Sequence, residues 1–412
     1  MPISLNIISS SFFSVTKYLR FVLIFSSLIY PSLSMAQSEY NPGLLAVKKM
    51  FADIEINALA EAYTGVGASS GLESGLFPIA STGVSTQPLV DAAEVFLSSL
   101  SPSLRIKAQY AVGTPEWRRW SNIDNGIYVR QGASFEEMNN EQKGAAWNLL
   151  SSSLSSEGVE LSRSIMKTDQ TLREINNDTL RYGEEKYFIK IMGVPSESEP
   201  WGWQLNGHHL AINYFILGDQ VVVAPMFLGG EPVITETGRH AGNTIFQQEQ
   251  AAGLQFVQSL DAGQRNVAII EENKTSNTIQ AEAWQDNLVL DYEGLLGQDL
   301  TEVQQDNLID LISLFVNNIR DEHALVKMEE VIAHINDTYF SWVGGTEDDA
   351  VFYFRIHSPV ILIEFDHQGP VGNPALARGV PTRQHIHVVV RTPNGNDYGK
   401  DLLRQHLALH PH

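Results

Sequence analysis

The residues best suited to chemistry in this sequence are its histidines, whose spacing suggests a metal site. His385 and His387 flank one residue at the head of a run rich in Val. Alternate residues of a strand share a face, so the two rings would project side by side, about 7 Å apart. Imidazoles so placed can converge on one ion, each nitrogen at about 2.0–2.1 Å from it. A lone strand histidine is more often a packed side chain, but the pair favours a metal ligand set.

Two carboxylates and a guanidinium accompany this pair. Glu364 and Asp366 alternate onto one face of the preceding apolar run, and Arg391 shares the face of His387. Burying an unpaired charge is costly, so two carboxylates on one strand face need a function. We predict that Glu364 or Asp366 is a general base or orients a ligand, and that Arg391 binds an anionic group or a developing oxyanion.

The third candidate element is the segment Gly207-His208-His209. Adjacent strand residues point to opposite faces, so at most one of these histidines joins the site unless the strand bulges. His209 would share its face with Ala211 and Asn213, whereas His208 would share its face with Leu210 and Ile212. This polarity favours His209 as the ligand and keeps His208 as the alternative.

The elements that must position these residues form two β clusters separated by helices. The predicted strands are Tyr187–Gly193, Gly202–Leu217, Gln220–Leu228, Val351–His357, Val360–His367 and His385–Arg391. Helical spacing dominates about residues 41–180 and recurs between the clusters. We therefore predict an α+β fold in which antiparallel strands carry helices, as one domain with a helical part to about residue 180 and a sheet-containing part from about residue 185 to 412. The two clusters should join in one sheet, or in two facing sheets, so that the histidines meet.

A local capping pattern recurs along the chain. An apolar residue precedes a capping residue at positions 101, 139, 261 and 301, and in the last three a Gln follows three residues later. That spacing is typical of the capping box. We interpret these as independent helices that solve the same capping problem, because the flanking segments do not align as a repeat.

Composition excludes several classes of function. The 412 residues carry a formal net charge of −21, which disfavours nucleic acid and anionic membranes as partners. The sequence has no Cys, so a metal must be held by imidazole and oxygen ligands. A small-molecule substrate is the expected partner, and the oligomeric state is left open.

The N-terminus predicts export. Lys17 and Arg20 precede a short apolar run, Phe21–Tyr30, and small residues at positions 34 and 36 form a cleavage site before Gln37. We therefore expect residues 1–36 to be a signal peptide and the mature protein to be periplasmic or extracellular.

Several motifs in one order also resemble a known family. They are Trp201-Gly-Trp-Gln, Gly207-His-His-Leu, Asp286-Asn, Tyr292-Glu-Gly, Tyr339-Phe-Ser-Trp-Val-Gly-Gly, Glu364-Phe-Asp, His385-Ile-His and Asp401-Leu-Leu-Arg-Gln-His. From about residue 40 onward the chain resembles the family called domain of unknown function 3500, a set of uncharacterised exported proteins. The resemblance implies no reaction. It does imply that the histidines, carboxylates and arginine named above occupy recurring polar motifs of that family.

Three functions fit these residues. The first is an exported metal-dependent hydrolase in which His385, His387 and one of the 208–209 pair hold a divalent ion, with zinc favoured. The second is an iron- or copper-dependent oxidoreductase that uses the same ligands. The third is a non-catalytic protein that binds a ligand or a metal in the cell envelope.

Overall fold

The computed structural model describes residues 42–410. The predicted signal peptide, residues 1–36, lies outside the described residues, and its cleavage stays a prediction. Contacts divide the chain into two compact units, Met1–Ala46 and Val47–His412, and the sheet and the histidine cluster belong to the second. No helix among residues 42–410 is both long and apolar enough to cross a membrane.

The described residues form ten α-helices, four of which begin at the caps expected from the sequence. Ser101 caps one of them ahead of Pro102, and the boxes at Asn139, Asp261 and Thr301 each pair with the Gln three residues on. The α-helices are α1 (Pro42–Ala60), α2 (Gln87–Ser99), α3 (Pro102–Ala108), α4 (Asn140–Ser153), α5 (Ser156–Asn176), α6 (Gln247–Ser259), α7 (Ala262–Ala268), α8 (Glu302–Val316), α9 (Asp321–Ala333) and α10 (Lys400–Leu409).

All twelve described strands belong to a single sheet, so the two predicted β clusters do join. The strands are β1 (Gln109–Tyr110), β2 (Ala133–Ser134), β3 (Phe188–Met192), β4 (Trp201–Gly207), β5 (Leu210–Leu217), β6 (Gln220–Gly230), β7 (Ile269–Glu271), β8 (Leu295–Leu296), β9 (Tyr339–Gly344), β10 (Phe352–His357), β11 (Leu362–His367) and β12 (Ile386–Arg391). Their order is β1-β3-β4-β5-β6-β12-β11-β10-β9-β7, with β2 beside β3 and β8 beside β9. Only β1–β3 and β7–β9 are parallel among the described pairs. The predicted α+β class is confirmed.

The sheet consists of two halves with the same order of elements. Each half contains, in chain order, two helices, a short strand, a long connection, a second short strand, two further helices and four antiparallel strands. The first half comprises β1–β6 with α2–α5, and the second comprises β7–β12 with α6–α9. Exchanging the halves reverses the strand order and keeps every parallel and antiparallel pairing. The fold is therefore an internal duplication about the central β6–β12 pair.

Side chains repeat along with the elements. Trp203 on β4 pairs with Tyr214 on β5 and stacks on it at 5.3 Å between ring centroids. Phe354 on β10 pairs with Phe365 on β11 and stacks at 5.0 Å. Our interpretation of the capping signals as independent helices was thus wrong, because they mark corresponding helices of two halves.

The two faces of the sheet are covered differently. Alternate residues of β12 point to opposite faces of the sheet. Ile386 and Val388 belong to the hydrophobic cluster on the helix-covered face, and Val389 belongs to a second hydrophobic cluster on the opposite face. The second cluster is closed by the long connections of both halves, which contribute buried residues such as Trp117 and Ala281. The polar residues that we singled out on β11 and β12 lie on this loop-covered face.

Candidate metal centre

Three histidines from distant parts of the chain meet at the centre of the loop-covered face. His209 lies in the turn between β4 and β5, His385 directly precedes β12, and His387 is on β12. Nε2 of His385 lies 3.2 Å from Nε2 of His209 and 3.0 Å from Nε2 of His387. They are 4%, 3% and 6% exposed. This group could hold a metal ion, and it is the one such group found among the described residues.

The spacing fits one ion shared by three nitrogens. Nitrogens at about 2.0–2.1 Å from an ion are about 2.9 Å apart at a right angle and about 3.3 Å apart at the tetrahedral angle. The observed 3.0 and 3.2 Å lie between these values. The geometry therefore accommodates a metal but does not select its identity.

The outer ring nitrogens fix the tautomers that metal binding requires. Nδ1 of His385 lies 2.9 Å from the carbonyl oxygen of Gly369, which can only accept a hydrogen bond. Nδ1 of His387 lies 2.6 Å from Oε1 of Glu282, which accepts this N–H in its ionised form; burial raises the pKa of Glu282 to about 7. With both Nδ1 atoms donating, the two Nε2 atoms carry lone pairs that face each other and would repel without a cation between them. Metal-bound histidines usually donate their other N–H to a carbonyl or a carboxylate in this way.

The burial of the site keeps the imidazoles neutral. Desolvation is the main cause, followed by the neighbouring histidines, and it lowers the pKa of His385 to about 4 and of His387 to about 3. The pKa of His209 is also lowered well below its ordinary value by desolvation. Neutral imidazole is the form that binds metals.

The chain makes room for the cluster at a glycine. Gly229 on β6 pairs with His387, and its N–H donates to the carbonyl oxygen of His209 at 2.8 Å. A Cβ at this position would lie 3.2 Å from ring carbons of both His209 and His387 and 2.9 Å from the carbonyl oxygen of Ile386. His209 itself has a φ of 60°, a left-handed conformation that is uncommon for a residue other than glycine. The predicted strand Gly202–Leu217 is in fact a hairpin, and this turn directs His209 into the cluster.

His208 lies beside the cluster and is held by its own carboxylate. Its ring stacks on that of His209 at 3.9 Å between centroids. Nδ1 of His208 lies 2.6 Å from Asp169, whose other oxygen accepts the N–H of Gly183 at 2.8 Å. The structure thus places His209 with the pair and His208 in a His–Asp dyad next to it.

The carboxylates predicted from the sequence face the backbone of a neighbouring segment. The N–H groups of residues 278–281 all donate to them: Asp366 accepts the first two at 2.8 and 3.0 Å, and Glu364 accepts the last two at 2.7–3.2 Å. Lys274 lies 2.9 Å from Asp366, and the hydroxyl of Tyr353 donates to Glu364 at 2.6 Å. Within the described residues, neither carboxylate has a hydrogen bond to the three histidines.

Arg391 holds the same segment from β12. Its guanidinium donates to the carbonyl oxygens of Ala281 and Glu282, both at 2.7 Å, and pairs with Asp286 and Asp397. The side chain is fully buried. The predicted roles in base catalysis and anion binding stay predictions, whereas these contacts favour a positional role for all three residues.

Glu282 is the residue that sequence reasoning missed. It lies in the long connection between β7 and β8, where no hydrophobic period or local motif marks a polar residue as functional. Its side chain is 28% exposed, more than any of the three histidines, and Asn122 from the corresponding connection of the first half lies 3.4 Å from it. No local sequence signal would have revealed Glu282, because its partner is 105 residues away.

Comparison with known proteins gives a family. The profile described as "Protein of unknown function (DUF3500)" matches residues 82–400. The chain belongs to the DUF3500 family. Neither the curated proteins nor the solved structures contain a match. The DUF3500 match confirms the resemblance noted from the motifs and leaves function to be argued from the site.

Proposed function

We propose that this DUF3500 protein is a metal-dependent hydrolase whose metal is held by His209, His385 and His387. The observation that carries the proposal is the convergence of three neutral imidazoles, in which Nε2 of His209 and Nε2 of His387 lie 3.2 and 3.0 Å from Nε2 of His385. Three protein ligands plus water is the usual arrangement of a catalytic zinc site, whereas structural zinc sites are closed by four protein ligands.

The residues around the ligands supply the remaining parts of a hydrolytic site. A divalent ion, when bound, lowers the pKa of a coordinated water to about 7 and polarises the oxygen of a substrate. Asp169 accepts the Nδ1–H of His208, which leaves Nε2 of His208 free to accept a proton from the attacking water. Glu282 accepts the Nδ1–H of His387 and so orients that ligand.

The alternatives from the sequence differ in how well these contacts support them. An iron site with two histidines and one carboxylate is not favoured by Glu364 or Asp366, because both accept backbone N–H groups. Glu282 contacts Nδ1 of His387 and not the converging Nε2 atoms. An all-imidazole copper site uses the same three histidines and is distinguished by metal identity. A non-catalytic metal-binding protein would have no need of the His208–Asp169 dyad.

The setting of the reaction also belongs to this proposal. The N-terminal sequence favours export to the periplasm or the extracellular space, and the acidic composition disfavours nucleic acid as a substrate. We therefore propose a small molecule as the substrate.

The test separates metal binding from turnover. Zinc-loaded protein is screened against 4-nitrophenyl esters, phosphates and anilides, and His208→Gln is compared with wild type. We expect the variant to keep its zinc and to lose about 10²–10⁴-fold in turnover, as is usual for loss of a general base. His240→Gln is the matched control, because His240 also pairs with a carboxylate, Glu184 at 2.7 Å, but lies outside the cluster.

Two outcomes would contradict the proposal. Full turnover by the zinc-loaded His208→Gln variant would remove the dyad from the mechanism. Absence of hydrolysis by zinc-loaded wild type across the whole panel would rule out the hydrolase as formulated and favour copper-dependent redox chemistry or simple metal binding.

A further inference from the structure

A cavity borders the position that corresponds, by the internal duplication, to the histidine cluster. It has a volume of about 410 Å³ and lies beside the start of β6 and the end of β12. Its walls are mainly apolar and include Phe77, Val222, Met226, Phe315, Ile319 and Ile361. This volume and this lining are typical of small-molecule sites.

Strand register identifies the counterpart of each histidine. His387 pairs with Asp366 on β11, one residue after Phe365, and Val222 pairs with Phe215 on β5, one residue after Tyr214. Because Phe365 and Tyr214 are equivalent, Val222 is the counterpart of His387.

The same comparison identifies the counterparts of the other two histidines. His385 lies two residues before His387 and Gln220 lies two residues before Val222, so Gln220 is the counterpart of His385. His209 lies in the turn closed by Gly207 and Leu210, and Val360 lies in the turn closed by Ser358 and Ile361. The counterparts of His209, His385 and His387 are thus Val360, Gln220 and Val222, and the last two line the cavity.

Two long polar side chains of the cavity wall, Gln220 and Lys327, are already engaged, whereas the buried Nε2 of His323 has no hydrogen-bond partner among the described residues. The amide of Gln220 binds both the N–H of Ala80 and the carbonyl oxygen of Pro78, at 2.9 and 3.1 Å. Lys327 binds Glu330 at 2.8 Å and the carbonyl oxygen of Val360 at 2.9 Å.

The other cation of the wall is compensated as well. Arg391 is paired with two buried aspartates. No cation of the described lining is left to balance an anionic ligand, so an anion would be desolvated here without compensation.

We propose that this cavity is a second binding site, selective for a mainly apolar small molecule without negative charge. Duplication produced two equivalent positions, of which one became a metal-ligand set and the other an apolar pocket. The proposal does not depend on the hydrolase function, because the two positions lie at opposite ends of the β6–β12 pair and share no histidine.

The experiment compares a neutral probe with a charged analogue. N-phenyl-1-naphthylamine is uncharged, and 8-anilinonaphthalene-1-sulfonate has the same ring system with one negative charge. Fluorescence titration of the full chain should show saturable binding of one neutral probe per chain, about tenfold tighter than the sulfonate.

Variants then locate the bound probe. Val222→Phe and Met226→Phe each fill the cavity and should weaken the neutral probe at least about tenfold. Val289→Phe is the matched control, since Val289 is 65% exposed and does not line the cavity. If Val222→Phe does not fold, as judged by circular dichroism, Met226→Phe decides. Equal binding by wild type and a folded filling variant, equal affinity for both probes, or no binding of the neutral probe would overturn the proposal.

Discussion

At the residue scale, the cluster is defined by where the second nitrogen of each ring donates. The carbonyl oxygen of Gly369 and the carboxylate of Glu282 accept hydrogen bonds from Nδ1 of His385 and of His387, so the Nε2 lone pairs converge. The sequence could indicate His385 and His387, because their two-residue spacing is a local feature of a strand. It could not indicate Glu282 or Asp169, because these hydrogen-bond partners of the histidines lie in a loop and in a helix that are far away in the chain.

Substitution at Gly229 tests how tightly the ligand rings are placed. We expect Gly229→Ala to reduce metal affinity about tenfold or more, since the new methyl group would press on the rings of His209 and His387. Affinity is measured by competition with a chromogenic chelator, with a thermal melt to confirm folding.

Gly230→Ala is the matched control for this prediction. The neighbouring glycine faces the other side of β6, where its methyl group would meet the flexible end of the Ile245 side chain instead. Wild-type metal affinity in a folded Gly229→Ala protein would show that the rings are not confined as described.

At the element scale, the predicted catalytic residues hold a loop. The backbone of residues 278–282 is bound successively by Asp366, Glu364 and Arg391. This segment places Glu282 against His387. Strand alternation predicted correctly that these side chains share a face. It could not predict that a loop would cover that face and occupy their hydrogen bonds, because long irregular connections have no periodic signal.

Replacement of Glu364 distinguishes a positional role from base catalysis. An amide at this position would set an NH₂ group against the N–H donors of Gln280 and Ala281, so Glu282 should shift. We expect Glu364→Gln to weaken metal binding about tenfold, and to have no further effect when combined with Glu282→Ala. If Glu364 were the base, the variant would instead keep its metal affinity and lose turnover.

A carboxylate with the same type of contact provides the control. Asp219 accepts the N–H groups of Thr82 and Gly83 at the far end of the β5–β6 hairpin, and Asp219→Asn should leave metal affinity unchanged. Additive losses in the Glu364→Gln and Glu282→Ala double variant would mean that Glu364 does not act through Glu282.

At the scale of the whole molecule, the duplication explains why the site lies at the centre of one sheet. His209 belongs to the first half and His385 and His387 to the second, and they meet where β6 joins β12. The sequence predicted the α+β class from its periodicities and missed the duplication. Capping positions accept few residue types and so keep a visible pattern, whereas buried strand positions accept any apolar residue of suitable volume.

The export prediction concerns the part of the chain that precedes the folded domain. Cleavage between Ala36 and Gln37 should yield a mature chain that begins at Gln37. N-terminal sequencing of protein from the cell-envelope fraction checks this, with a cytoplasmic protein as the fractionation control. Intact Met1 on soluble cytoplasmic material would contradict export.

The most direct test of the central claim is the metal content of the purified chain. Protein is prepared from its native compartment without chelators, offered zinc, iron and copper in turn, and analysed by plasma mass spectrometry. We predict one tightly bound ion per chain, lost in folded His385→Ala and His387→Ala variants and kept in His240→Ala, because only the first two provide a converging Nε2 atom. A wild-type chain that binds none of the three metals, or folded His385→Ala and His387→Ala variants that retain a full equivalent, would contradict the account.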